Sequence, residues 1–133
     1  MPEPLLRTSY FRVLVGDREL GFSEITPLIS KTDREQPKEH RHRFETVVLR
    51  RAVTRSSELY EWRKRIADGV DDRRTVTIQQ LDRPDGDVAN TWRLVGAWPS
   101  RWSGPTFTAL ASDVAMEELE LSFEDLVWLK EGG

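Results

Sequence analysis

Ten residues near the end of the chain, VAMEELELSF (114–123), alternate more cleanly than any other stretch. On an extended backbone Ala115, Leu119, Leu121 and Phe123 share one face, with Glu117 interrupting it, while Met116, Glu118, Glu120 and Ser122 share the other. A strand of this kind has to pack its apolar face on a core and leave the charged face in water. The architecture is therefore constrained to a sheet with one dry and one wet side.

The rest of the chain supports the same reading. SYFRVLV (9–15) alternates Phe11, Val13 and Val15 against Tyr10, Arg12 and Leu14, and the turn residues of GDRELG (16–21) predict a hairpin into FSEITPLIS (22–30). FETVVLRR (44–51) and the β-branched RRTVTIQQL (73–81) read as further strands, and DRPDGD (82–87) as a turn. One helix is expected over about 56–67, within SSELYEWRKRIADG, with Ser56 as N-cap, Leu59, Trp62 and Ile66 on one face, and Gly69 closing it. Between strands lies KTDREQPKEHRHR (31–43), with five basic and three acidic residues and no periodicity, which predicts a charged extended loop. Loops of that length usually serve a purpose. At 133 residues the expectation is a single mainly β domain, antiparallel, in a sandwich or barrel with one α-helix.

Composition removes several function classes. Cysteine is absent, which excludes disulfides, thiolate metal sites and cysteine nucleophiles. Charged residues make up 32% of the chain yet nearly cancel, to a net charge of −3, so a dedicated basic nucleic-acid face is not expected. The first residues show no signal-peptide pattern, and no window approaches the ~18 apolar residues of a membrane span, so no membrane anchor is expected. The setting expected during synthesis and assembly is the cytoplasm.

The chemical candidates are weak. His40 and His42 would share a strand face but lack a third metal ligand. Asp82, Asp85 and Asp87 lack the spacing of a calcium loop and are explained by turn chemistry. Phe22 stands where a phosphate-binding loop needs lysine. Glu117, Glu118 and Glu120 have no histidine or metal partner implied. No catalytic, metal or cofactor site is assembled, and the chain is not expected to be an enzyme.

NTWRLVGAWPSRW (90–102) holds three of the five tryptophans. Arg93 and Arg101 are its only cations, which is thin support for a base- or sugar-stacking surface. The simpler expectation puts Trp92, Leu94, Gly96 and Trp98 on one inward face, with Pro99 ending the pairing and Trp102 left to cover an edge or a partner subunit. The structural core expected from all segments is Phe11, Leu59, Trp62, Ile66, Trp92, Trp98, Leu119 and Leu121.

In order and spacing these segments resemble one family. YFRVLVGDRELGFSEITPL resembles an opening hairpin, TVVLRRAV followed by SSELYEWRKRIADG a strand and tryptophan-bearing helix, and RRTVTIQQLDRPDGDVANTWRLVGAWPSRWSGPTF a hairpin leading through Ala97-Trp98-Pro99 to a Gly-Pro turn. VAMEELELSFEDL resembles the closing strand. The family is the tail tube proteins of contractile phages and of phage-tail-like contractile injection systems. The glycine-free 31–43 stretch and Ala52 depart from its pattern, leaving open a main tube subunit or a specialised ring at one end, such as the tube-initiating ring at the baseplate or spike.

The resemblance implies hexameric rings that close into a ring-shaped β-barrel and stack into a hollow inner tube, expelled by contraction of a sheath. Implied partners are other copies of the chain, sheath protein, baseplate and spike components, and cargo or genome in the lumen. The particle is a phage tail or an injection device that can be released extracellularly. On this basis Glu118 and Glu120 are expected to face the lumen. Arg34, Glu35, Lys38, Glu39, Arg41, Arg43 and Trp102 are expected at inter-subunit or inter-ring contacts. The competing expectation is a small β-rich binding module that uses the tryptophan stretch or the charged loop to recognise a ligand.

Overall fold

The computed structural model describes residues 5–31 and 45–130. Strand β1 (Phe11–Val15) turns at Gly16, whose φ of 64° suits a residue without Cβ, and returns as β2 (Arg18–Leu20) with Val15 opposite Arg18. Gly16 and Asp17 suffice for the turn, so the hairpin partner starts earlier in the chain than the expected 22–30. Of that segment only β3 (Glu24–Ile25) is extended, and it pairs with β4 (Glu45–Ala52).

Helix α1 (Glu58–Ala67) follows. Its N-cap is Ser57, not Ser56, with the Ser57 carbonyl accepting from Glu61 N–H and Glu58 and Glu61 in the first turn. Gly69, at φ 86°, closes the helix with its N–H on the Ile66 carbonyl. Strands β5 (Arg74–Leu81), β6 (Val88–Ser103), β7 (Met116–Phe123) and β8 (Asp125–Leu129) complete the described elements.

All neighbouring strands are antiparallel, in the order β2-β1-β5-β6-β7-β4-β3, with β8 also on β6. At 16 residues β6 is longer than most strands and serves two sheets. Its first part lies between β5 and β8, and its second part pairs with β7. Glu124 alone separates β7 from β8, and its N–H donates to the Val95 carbonyl at 2.8 Å, carrying the ladder across the gap. The result is one long bent hairpin, 88–103 against 116–129, from which β5-β1-β2 extend at one end and β4-β3 at the other.

Three irregularities interrupt β6: one at Ala89, where Gln80 faces Asn90 and Leu81 faces Val88, and two that set the phase of its later residues. Arg74 is opposite Ala97 but Val76 is opposite Leu94, so Val95 and Gly96 face the single residue Thr75, and Gly96 takes φ 61°. Past this bulge Ala97 and Pro99 point inward with Leu94, and Trp98 is turned to the other side. A second shift between Pro99 and Arg101 returns Trp102 to the inward face, opposite Leu119. The expected common face of Trp92, Leu94, Gly96 and Trp98 is therefore split. Trp98 is half-buried beneath the Arg73 guanidinium, 5.0 Å away, rather than in the core. Pro99 does not end the pairing either. It is fully buried opposite Leu121, in the half of β6 where β7 is the strand partner and a missing N–H is tolerated.

The core lies between the two sheet regions and beneath α1. Val13, Val15, Val47, Leu49, Val76, Ile78, Leu94, Leu119, Leu121 and Phe123 are buried together with Leu59 and Trp62 of the helix. Burying each large side chain contributes about 1.5–3 kcal/mol. Phe11, Ile66 and Trp92 are partly buried and pack against this cluster. The Trp62 indole N–H donates to the Asp72 carbonyl at 2.7 Å, with the Arg74 guanidinium 4.5 Å above its ring.

Candidate functional site

The pleat of β7 places consecutive glutamates in different environments. Glu117 points inward and is 3% exposed. Its Oε2 accepts from Arg51 Nε at 3.1 Å and its Oε1 from the Trp102 indole at 2.8 Å. Arg51 Nη1 also donates to Glu58 Oε1 at 3.0 Å, and Glu58 Oε2 meets Arg18 at 2.9 Å. One ionic chain thus joins β7, β4, α1 and β2. Trp102 closes it from above, with Tyr60 of the helix edge-on to its ring at 5.3 Å. The second bulge turns Trp102 inward, where it stays partly buried and its one polar atom is used inside the chain.

Glu118 and Glu120 lie on the opposite face of the same strand, both half-exposed. Across three strands Glu24, Arg50 and Glu118 stand side by side, with Arg50 2.9 Å from each carboxylate. The hydrogen bond that Arg50 donates to Glu24, reinforced by the charge of Glu118, holds the guanidinium even more firmly protonated than usual. Glu120 sits between Val48 and Arg101 in the register. The face is therefore mixed in charge: Arg50 compensates Glu118, a pairing that the alternation of β7 alone did not reveal.

Arg34, Glu35, Lys38, Glu39, Arg41 and Arg43 lie outside the described residues, as do His40 and His42. Two surfaces were missed in the sequence. The first is the loop 104–115, read there only as a Gly-Pro turn, on which Phe107 is 87% and Leu110 100% exposed. The second is β8, an edge strand whose Trp128 is 49% exposed, stacked at 5.3 Å on Trp92 and hydrogen-bonded to Asn90. Lys130 caps that indole, its Nζ 3.8 Å from the ring centre. Among the described residues no helix is long and apolar enough to cross a membrane.

These features form surfaces and edges rather than a reaction centre. The sheet regions end in β2 and β8 on one side and in β3 and the second half of β6 on the other. Edges of this kind invite pairing with another chain.

The profile of the T4-like virus tail tube protein gp19 family matches residues 7–127. No curated protein matches the chain in sequence. Among solved structures, the chain is similar to one of the PVC extracellular contractile injection system sheath/tube terminator in the extended state. The identity is 20% and the TM-score 0.80, covering 96% of this chain and 99% of that one. It is similar to the tube-terminating cap of the anti-feeding prophage at 16% identity and TM-score 0.81, covering 97% and 93%. It is also similar to Hcp1 from Flavobacterium johnsoniae at 15% identity and TM-score 0.63, covering 93% and 96%. At these identities the likeness is one of fold.

Proposed function

Because the chain belongs to the T4-like virus tail tube protein gp19 family, whose proteins are structural and not enzymes, we propose that it is an inner-tube subunit of a contractile injection system. As one unit it assembles into hexameric rings, the rings stack into a hollow conduit, and contraction of a surrounding sheath expels the tube. Sheath and baseplate or spike components are its partners, and cargo passes through the lumen. Assembly takes place in the cytoplasm, and the finished particle is released extracellularly.

The observation that carries this reading is the pattern of open edges. A chain with open sheet edges gains most by pairing them head to tail with identical copies, and such contacts close into a ring when the rotation allows. The wet face of β3-β4-β7-β6 then lines the bore, with Glu118 and Glu120 on it. Arg50 is shared by Glu24 and Glu118 and Arg101 stands opposite Glu120, so the bore carries mixed charge with a small negative excess, repeated around the ring. The charged 31–43 segment, by its composition, sets register between subunits or rings, where mixed charges reject wrong partners.

Negative-stain microscopy of the purified chain tests the reading. Long stacks identify a main tube subunit, isolated hollow rings a terminal one, and dispersed single copies oppose both. The lumen assignment is tested by Glu118→Lys with Glu120→Lys. Rings are expected to form as before while passage or retention of acidic cargo changes. Loss of rings would place these glutamates in an interface.

A further inference from the structure

We propose that the 104–115 loop of one copy seats Phe107 and Leu110 in an apolar groove on a neighbouring copy. The proposal deepens the tube-subunit reading and rests on it.

The groove lies where the segment around Arg7 and Thr8 passes the β3 edge. Phe11, Ile78 and Trp92 form its floor, and Ile25 and Leu28 its side, around a volume of about 500 Å³. That size is typical of pockets that take a specific apolar partner. The loop supplies a matching partner, since Phe107 and Leu110 are held in water at a large hydrophobic cost.

The two sites do not occupy each other within one chain. Phe107 and Leu110 are 87% and 100% exposed, so neither side chain fills the groove of its own chain. None of the groove-lining residues belongs to the loop.

Charge favours the same pairing. Asp113 is the one charged residue of the 104–115 loop; at the groove stand Glu24, whose charge is already taken up by Arg50, and Arg7. Among the described residues neither Asp113 nor Arg7 is in an ion pair. A tip on one surface and a pocket elsewhere on the same molecule make a head-to-tail contact, the type that generates rings or filaments.

The chain's lack of cysteine gives a clean cross-linking test. The variant carrying Thr8→Cys and Phe107→Cys, assembled and then oxidised, is expected to give a ladder of covalent multimers, while either single substitution gives none. The second arm is a charge exchange at two exposed positions. Arg7→Glu alone and Asp113→Arg alone should each raise the concentration for half-assembly roughly tenfold, and the two together should restore it.

A disulfide within one chain, or rings that form with no ladder and no response to either reversal, would overturn the contact while leaving the tube reading intact. Cross-linking to a sheath or baseplate protein in place of a second copy would also overturn it. A parent chain that never assembles would overturn both.

Discussion

Glu117 is a carboxylate on the apolar side of a strand, and its surroundings explain why it is tolerated there. Arg51 and the Trp102 indole satisfy both of its oxygens. Removing Glu117 leaves Arg51 paired with Glu58 alone and the Trp102 N–H without its acceptor, so the cost falls below the ~3–5 kcal/mol of a fully broken buried pair. Glu117→Ala is therefore expected to lower unfolding stability by roughly 2 kcal/mol in urea titration. Trp102→Phe, which removes one hydrogen bond to a charged acceptor, should cost about 1.5–3 kcal/mol. A loss below about 1 kcal/mol for Glu117→Ala would mean that the network is dispensable. Asp72 makes a second such anchor, accepting from Arg74 at 3.0 and 2.8 Å and from Arg65 at 2.9 Å. The Arg74 hydrogen bonds, followed by those of Arg65, outweigh burial and hold its pKa below the ordinary aspartate value. A depressed carboxylate stabilises the fold fully above its unfolded pKa, and that contribution is lost as pH falls through the folded pKa. Asp72→Asn should thus be the less stable protein at neutral pH, by about 1.5 kcal/mol, with the two curves converging below about pH 4. Parallel curves down to acid would exclude Asp72 as the source.

At the scale of elements, the long strand β6 decides which side chains meet. Gly96 sits at the bulge with φ 61°, and a Cβ there would stand 2.7 Å from the Glu124 carboxyl carbon. The end of the glutamate can move aside, so the cost of Gly96→Ala comes chiefly from the left-handed backbone, about 1–2 kcal/mol. Because Glu124 also pairs with Arg73, displacing it should loosen the cover over Trp98 and change its fluorescence. Unchanged stability would show that the bulge is not needed. These shifts also mark what the sequence could and could not show. The alternation of β7 and the helix face of Leu59 and Trp62 were legible because each follows an unbroken period. The face of Trp98 was not, because strict alternation carries no record of one extra residue at Val95–Gly96. Strand β8 was hidden for a similar reason: a polar Glu124 reads as a strand end, while the backbone continues the ladder through Val95. The carboxylates of β7 stood out in the sequence, but their partners did not, since Arg50 and Arg51 lie 66 or more positions away.

For the whole molecule, the elements leave a chain with its core filled and its edges open. The bent β6–β7–β8 hairpin ties the two sheet regions into one frame, and α1 covers the core with Leu59 and Trp62. What remains unsatisfied is at the margins: the strand edges, the apolar tip of the 104–115 loop, and the groove beside Arg7. Under the proposed tube role these margins are the surfaces that other copies of the chain cover. The most direct test is the mass of the purified chain in solution, by size-exclusion chromatography with light scattering. The account predicts a species about six times the 15.4 kDa chain, or larger stacks built from it. A stable monomer across the micromolar range would contradict it.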